Sequence, residues 1–192
     1  MQYTCFDWRS KLDQLRGGYI QNNNYLFCFH FFQAGPLGKE LGIFLVRPKN
    51  LRSKFEDAEL KYDGKVEKEA IVSWIKANYH GICGHKTTDN AKDFKLPLVT
   101  AYYDVDYVKN VKGTNYWRNR VMKIAKNFAK LNFAVANKND FQHEADEFGL
   151  DIVTADKPLV AIKSAKGKFV MKDVFSMETF EQFLKDFEGN NN

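Results

Sequence analysis

The hexapeptide Gly81-Ile82-Cys83-Gly84-His85-Lys86 comes within one residue of a Cys-x-x-Cys dithiol. Two thiols at that spacing exchange disulfides, because one attacks as a thiolate and the other resolves the mixed disulfide. Here Lys86 fills the resolving position. The three cysteines of the chain, Cys5, Cys28 and Cys83, provide no CxxC pair and no disulfide framework. Thiol chemistry at Cys83 would therefore be that of a one-cysteine enzyme, and it would need a depressed thiol pKa. His80, Cys83 and His85 are metal-ligating types within six positions, yet no second cluster completes a tetrahedron, so neither metal nor cofactor is expected. Asp104 and Asp106 share one side of a strand end. Such a pair can serve acid–base or metal chemistry, but more often is a pair of solvated residues leaving a sheet. His143–Glu144 falls on a helix with no nucleophile near it in sequence.

Charge placement carries more information. The 192 residues are 44% hydrophobic and 28% charged, with a net charge of +5, which is ordinary globular composition. From Lys109 to Lys130 stand Lys109, Lys112, Arg118, Arg120, Lys123, Lys126 and Lys130, with no acid among them. The stretch that follows is acidic, with Asp140, Glu144, Asp146, Glu147, Asp151 and Asp156. A cationic face this long favours an acidic partner. No nucleic-acid motif accompanies it, so nucleic acid is not expected. No apolar run approaches the roughly 18 residues of a membrane span. Neither a signal peptide nor a retention address is read from the sequence, and oligomeric state is not readable.

Several elements must position these groups. "GIFLVRP" reads as a short buried strand stopped by Pro48. A charged strand, "AELKYDG", follows, and then a helix from about Val66 to Tyr79 ended by Gly81. "ICGHK" is a weak strand and "TDNAKDF" a short helix, ahead of the apolar strand "LPLVTAYYDV". In "TNYWRNRVMKIAKNFAKL", Trp117, Val121, Ile124, Ala125 and Phe128 form one stripe of an amphipathic helix. Thr114 or Asn115 is the expected cap. "NFAVAN" is a strand, "KNDFQHEADEFGL" a helix closed by Gly149, "LVAIK" and "KFVMKD" a hairpin across "AKGK", and "SMETFEQFLKDF" a last helix capped by Ser176.

The order β-α-β-α-β-α-β-β-α is that of an α/β, thioredoxin-like fold, a central mixed sheet with helices on both faces. It spans residues 82–188. A partial thioredoxin-like half-domain precedes it over 42–81, and 1–41 shows no clean periodicity. Pro158, immediately before a central-type strand, predicts a cis Lys157–Pro158 bond. In this architecture a reactive dithiol sits where the second strand meets the long helix, whose N-terminus stabilises a thiolate. That address is Val108–Trp117, and it holds no cysteine. Arg118 and Arg120 flank the apolar stripe beside Tyr116 and Trp117, with Lys112 at the helix entrance. Planar guanidinium groups among aromatic rings suit recognition of carboxylates. Lys123, Lys126 and Lys130, opposite the stripe, read as a solvated face.

The runs "AYYDVDYVKNVKGTNYWRNRVM", "KLNFAVANKNDFQHEADEFGLD" and "KPLVAIKSAKGKFVM" closely resemble a b′ domain of the protein disulfide isomerase family. The likeness is to the branch that partners calnexin and calreticulin, and it extends from about Gly42 to Phe187. "GIFLVRPKNLRSKFED" through "ANYHGICGHKT" resembles the C-terminal half of a b domain. The resemblance implies a redox-inactive module of the endoplasmic reticulum lumen that docks the acidic P-domain of those lectin chaperones. It carries over Lys54 in "SKFED", Lys112 in "VKGTNYW" and Arg120 in "WRNRVM" as partner-binding residues, with Tyr116, Trp117 and Arg118 in support. Three departures accompany it. The catalytic domains with their "WCGHC" dithiols have no counterpart here, so the likeness implies no enzyme activity for this chain. "FAKLNFAV" is a shorter connection, and residues 1–41 match nothing in the family.

Overall fold

Alternating side chains decide the layers. In the computed structural model, which describes residues 43–47, 49–152 and 155–189, β1 (Ile43–Val46) pairs antiparallel with β2 (Glu59–Tyr62), and α1 (Lys68–Asn78) follows. Gly81 sits at φ 65, a left-handed conformation that stops the chain continuing as helix. The expectations for residues 1–41 and for the strand stop at Pro48 lie outside the described residues.

A five-stranded sheet holds the rest. Its strands are β3 (Gly84–Lys86), β4 (Leu98–Tyr103), β5 (Asn132–Asn137), β6 (Leu159–Ser164) and β7 (Gly167–Val170), in the order β3-β5-β4-β6-β7. β3, β5 and β4 run parallel, and β6 and β7 are antiparallel additions. Crossover helices are required between parallel strands, and α2 (Val111–Ala125) supplies the one from β4 to β5. α3 (Gln142–Glu147) precedes the hairpin and α4 (Met177–Gly189) follows it. This is the expected thioredoxin-like, mixed α/β fold. The short helix read in "TDNAKDF" is a 3-10 turn at Ala91–Asp93.

Successive residues of β4 point to opposite faces. Val99, Ala101 and Tyr103 join Phe133, Val135, Val160 and Ile162 in the larger core, against Val121, Met122 and Ala125 of α2 and Phe180 and Leu184 of α4. Tyr102, Ala136 and Ala161 face the other way, onto Phe141, Ala145, Leu150 and Ile152 around α3. Both faces are covered, which is why these strands read as continuous apolar runs.

Two details correct the sequence reading. α2 begins earlier than expected, because the Asn110 side chain accepts a hydrogen bond from Gly113 N at 3.0 Å and caps the helix there. Thr114 instead braces the preceding loop, accepting from Asp106 N at 2.8 Å. The cis peptide among the described residues is Leu96–Pro97, not Lys157–Pro158. The β4–β6 ladder ends at the Tyr102–Leu159 pair, so Pro158 stands just outside it. No ladder donor is demanded of Pro158, and the conflict behind the cis expectation does not arise. Ser176 caps α4 as expected: its hydroxyl accepts from Thr179 N at 3.1 Å, and Thr179 Oγ1 accepts from Ser176 N at 2.9 Å.

Candidate functional site

The loop between β4 and α2 is built from polar closures. Asp106 accepts from the N–H groups of Val108 and Lys109, both at 2.8 Å, and these two bonds hold its carboxyl below the usual range. This carboxylate therefore serves as a turn-former. Asp104 turns outward, 3.8 Å from Lys138 Nζ. The two acids do not converge on one another or on a third group.

Cys83 is fully buried. Burial, reinforced by nearby Glu56 and partly opposed by Arg118, pushes its thiol up to about 12. A thiolate nucleophile needs the reverse shift and an open approach. The one-cysteine enzyme reading fails on both counts. The ligand-type trio is dispersed as well. His80 stacks between Tyr79 and Phe94, with ring centroids at 3.7 and 3.8 Å, while His85 meets Tyr107 edge-on. Lys86, in the position of the missing thiol, is buried with its ammonium on Glu144, which also accepts from Tyr102 Oη at 2.6 Å. Glu144 is thus a half-buried partner at the edge of the smaller core, whereas His143 is exposed.

The cationic residues separate into two groups. Lys112, Tyr116 and Arg120 recur at i, i+4 and i+8, which stacks them along one side of α2. Lys112 is exposed, and Tyr116 keeps 49% of its surface accessible. The Arg120 guanidinium carbon lies 3.4 Å from the Tyr116 ring centroid and 5.7 Å from that of Trp117. Its Nη1 donates to Tyr116 O at 3.1 Å. Trp117 in turn packs edge-on against Tyr116 and against Phe175. The guanidinium is consequently seated over an aromatic shelf and tied to the Tyr116 carbonyl, which restricts its orientation.

Arg118 belongs to the other group, against expectation. It is 2% exposed and cannot reach a partner. Nε donates to Cys83 O at 3.0 Å, Nη1 to Leu51 O at 2.9 Å and Nη2 to Glu56 Oε1 at 2.9 Å. Glu56 Oε2 lies 3.4 Å from Arg47 Nη2 and accepts from Ile82 N at 3.0 Å. Arg47 donates onward to Asp57 O, Asn78 O and Tyr79 O. Burial works against the Arg118 charge, yet Tyr107, Cys83 and Glu56 hold it above its ordinary value. An arginine inside the apolar stripe is explained by these three acceptors.

Lys54 is exposed beside this joint. Its Nζ lies 5.4 Å from the Phe55 ring centroid, and Lys126 Nζ approaches the same ring at 5.3 Å. Ser53 Oγ donates to Asn119 Oδ1 at 2.9 Å, and Asn115 Nδ2 to Asn50 O at 2.8 Å. Residues 50–55 therefore lie along the Asn115–Asn119–Lys126 side of α2, adjoining the Lys112–Tyr116–Arg120 side. Glu56 was not singled out from sequence, and no local signal pairs it with a residue 62 positions away.

Residues 39–186 match the family described as thioredoxin-like domain. Protein disulfide-isomerase A3 of Gallus gallus is 51% identical over 160 residues, covering 78% of this chain and 32% of the relative. The probable protein disulfide-isomerase ER-60 of Schistosoma mansoni is 35% identical over 159 residues, covering 80% and 32%. This chain therefore spans about a third of the length of those relatives. The match to protein disulfide-isomerase A4 of Rattus norvegicus, at 31% identity, covers 94% of the chain and 29% of the relative, and so takes in residues ahead of Gly42, which corrects the expectation that residues 1–41 match nothing in the family. Among solved structures, the bb fragment of ERp72 superposes with a TM-score of 0.71 at 32% identity, covering 79% of this chain and 69% of the fragment. Human ERp44, at 17% identity and a TM-score of 0.51, shares the fold, with 79% of this chain and 45% of that one covered. The chain belongs to the protein disulfide isomerase family, in the thioredoxin-like b-type part of it.

Proposed function

We propose that this chain is a non-catalytic docking portion of a protein disulfide isomerase, with residues 82–188 a redox-inactive b′-like domain and 42–81 part of a b-like one. Its partner is the acidic P-domain tip of a lectin chaperone of the calnexin or calreticulin kind. Its place is the endoplasmic reticulum lumen, in support of glycoprotein disulfide folding. The observation that carries this reading is the Arg120 guanidinium seated on Tyr116, with Lys112 two turns back on the same helix side and no acid between them in sequence. A seated guanidinium offers two parallel donors to a carboxylate at small entropic cost, and an adjacent lysine adds long-range attraction.

Titration calorimetry of the full chain against an isolated acidic P-domain tests it. Binding is expected to weaken as salt is raised and on Arg120→Ala. Wild-type affinity in a Lys112→Ala, Arg120→Ala double variant overturns the reading.

A further inference from the structure

We infer that Glu56 is a positioning residue for partner docking: through Arg118 and Arg47 it holds Lys54 in register with Lys112 and Arg120, making one composite cationic surface out of two separately built pieces. The inference rests on the docking reading and adds a specificity rule to it.

The geometry is specific. Lys54 comes from the connection between β1 and β2, while Lys112 and Arg120 come from α2 of the five-stranded unit. Two surface cations on independently moving pieces present a variable spacing, so a rigid acidic partner would satisfy one and lose the other. Here the spacing is set. Glu56 follows Lys54 by two residues and places one carboxylate oxygen on Arg118 of α2, the other on Arg47 and on the N–H of Ile82. Its side chain is 5% exposed, and those of Arg118 and Arg47 are 3% and 8%. Buried charges in this arrangement hold one geometry, because any displacement leaves a charge without its partner. Arg118 further binds the carbonyls of Leu51 and Cys83, which brackets residues 51–56 and the entry to β3 around one guanidinium. Ser53 on Asn119 and Asn50 on Asn115 complete the seam. Along α2, Lys112 and Arg120 are about 12 Å apart, eight residues at roughly 1.5 Å each. Lys54 enters from the Asn119 side. A fitting partner is thus an acidic hairpin or loop that displays carboxylates at both ends of such a span and a further one toward the Asn119 side, where Lys54 stands; a partner lacking that further carboxylate would use the helix cations alone.

The test couples affinity to geometry in the full chain. In one arm, calorimetry against an acidic P-domain compares Lys54→Ala in the wild-type and Glu56→Gln backgrounds. The Lys54→Ala loss, about threefold in the wild type as for a rim charge, is expected to fall below about 1.5-fold in Glu56→Gln, while the Arg120→Ala loss persists. In the other arm, spin labels at Glu59→Cys and Asn127→Cys, with Cys5 and Cys28 changed to serine, report the distance across the seam without any partner. A narrow distribution is expected for the wild type and a broad one for Glu56→Gln. An undiminished Lys54→Ala loss, or an equally narrow distribution, overturns the inference. If the wild type binds no acidic P-domain, the docking reading fails and the distance arm alone decides whether Glu56 sets the joint. Should Glu56→Gln not fold, Asn119→Ala, which removes the Ser53 bond, must shift both readouts in the same direction by a smaller amount; no shift overturns it.

Discussion

Arg118 and Arg120 stand two residues apart on one helix and do opposite work. Arg118 points inward, gives its donors to Leu51, Cys83 and Glu56, and has almost no accessible surface. Arg120 lies across Tyr116 at the surface and, among the described residues, carries one protein hydrogen bond, to the Tyr116 carbonyl. Two positions on a helix differ by roughly 200° in direction, so arginines of identical chemistry two residues apart face inward to the joint and outward to the surface. The lesson is that cationic density along a sequence overstates the cationic face, since part of it is consumed inside.

The largest effect expected on that contrast is Arg118→Ala. It leaves the buried Glu56 carboxylate with Arg47 as its remaining charged neighbour and the Ile82 N–H as a donor, a loss of about 3–5 kcal/mol, readable in a urea titration. Arg120→Ala is expected to stay within about 0.5 kcal/mol of wild type in the same titration. Equal losses would erase the distinction. The same substitution sharpens it chemically. With its thiol near 12, Cys83 is expected to alkylate at pH 8 roughly a thousandfold more slowly than an ordinary thiol. Arg118→Ala, by freeing the Cys83 carbonyl and the chain around it, should accelerate that reaction. An unaltered rate would show that the guanidinium does not close this region.

A pH series probes the same joint from its other side. His80 and His85 flank Cys83, and burial lowers each to about 4 from 6.5; the first-named effect is opposed at His80 by Asp93 and reinforced at His85 by Arg118. In the unfolded chain both take up protons near pH 6.5 and in the folded chain only near 4. The stability they contribute is therefore complete above about pH 6.5 and is lost as pH falls from there through 4. Thermal midpoints are expected to drop across that window, and His80→Phe should flatten part of the decline. A flat wild-type profile would show that the two imidazoles protonate without strain.

Smaller again are the docking effects on the exposed side. Arg120→Ala is expected to cost about 1–2 kcal/mol of partner affinity, and Arg120→Lys about half as much, since lysine keeps the charge but not the planar donor fork. Lys112→Ala should cost about 0.5 kcal/mol and reduce the salt dependence measured by calorimetry. A Lys112 effect exceeding that of Arg120 would move the centre of the surface to the helix entrance.

Much of this was legible residue by residue. The strands of the five-stranded sheet, the Ser176 cap, the glycine stops at Gly81 and Gly149, and the lack of a cysteine at Val108–Trp117 all follow from local pattern. The start of α2 did not, because several capping residues crowd Asn110–Asn115 and the loop hydrogen bonds choose among them. Nor did the peptide geometry at Pro158, which turns on where the β4–β6 ladder stops. Of the candidate surface, Tyr116 and Arg120 pair by helical spacing, whereas Lys112, read as standing at the helix entrance, joins their side only because α2 starts at Val111; Arg118 was misplaced and Glu56 missed. A charged residue in an apolar stripe is ambiguous until its acceptors are known.

By itself, the sequence determined the thioredoxin-like order of elements, the excess of cations on α2 and the want of a second thiol near Cys83. These are properties of neighbouring residues, set by periodicities of two and 3.6 and by composition. The tertiary structure decided which arginine is spent on the joint, that Glu56 receives it, and that Lys54 lies alongside α2. Those outcomes depend on burial and on partners 62 residues apart. Desolvation makes such a pairing obligatory once formed, and no local pattern in the chain encodes it.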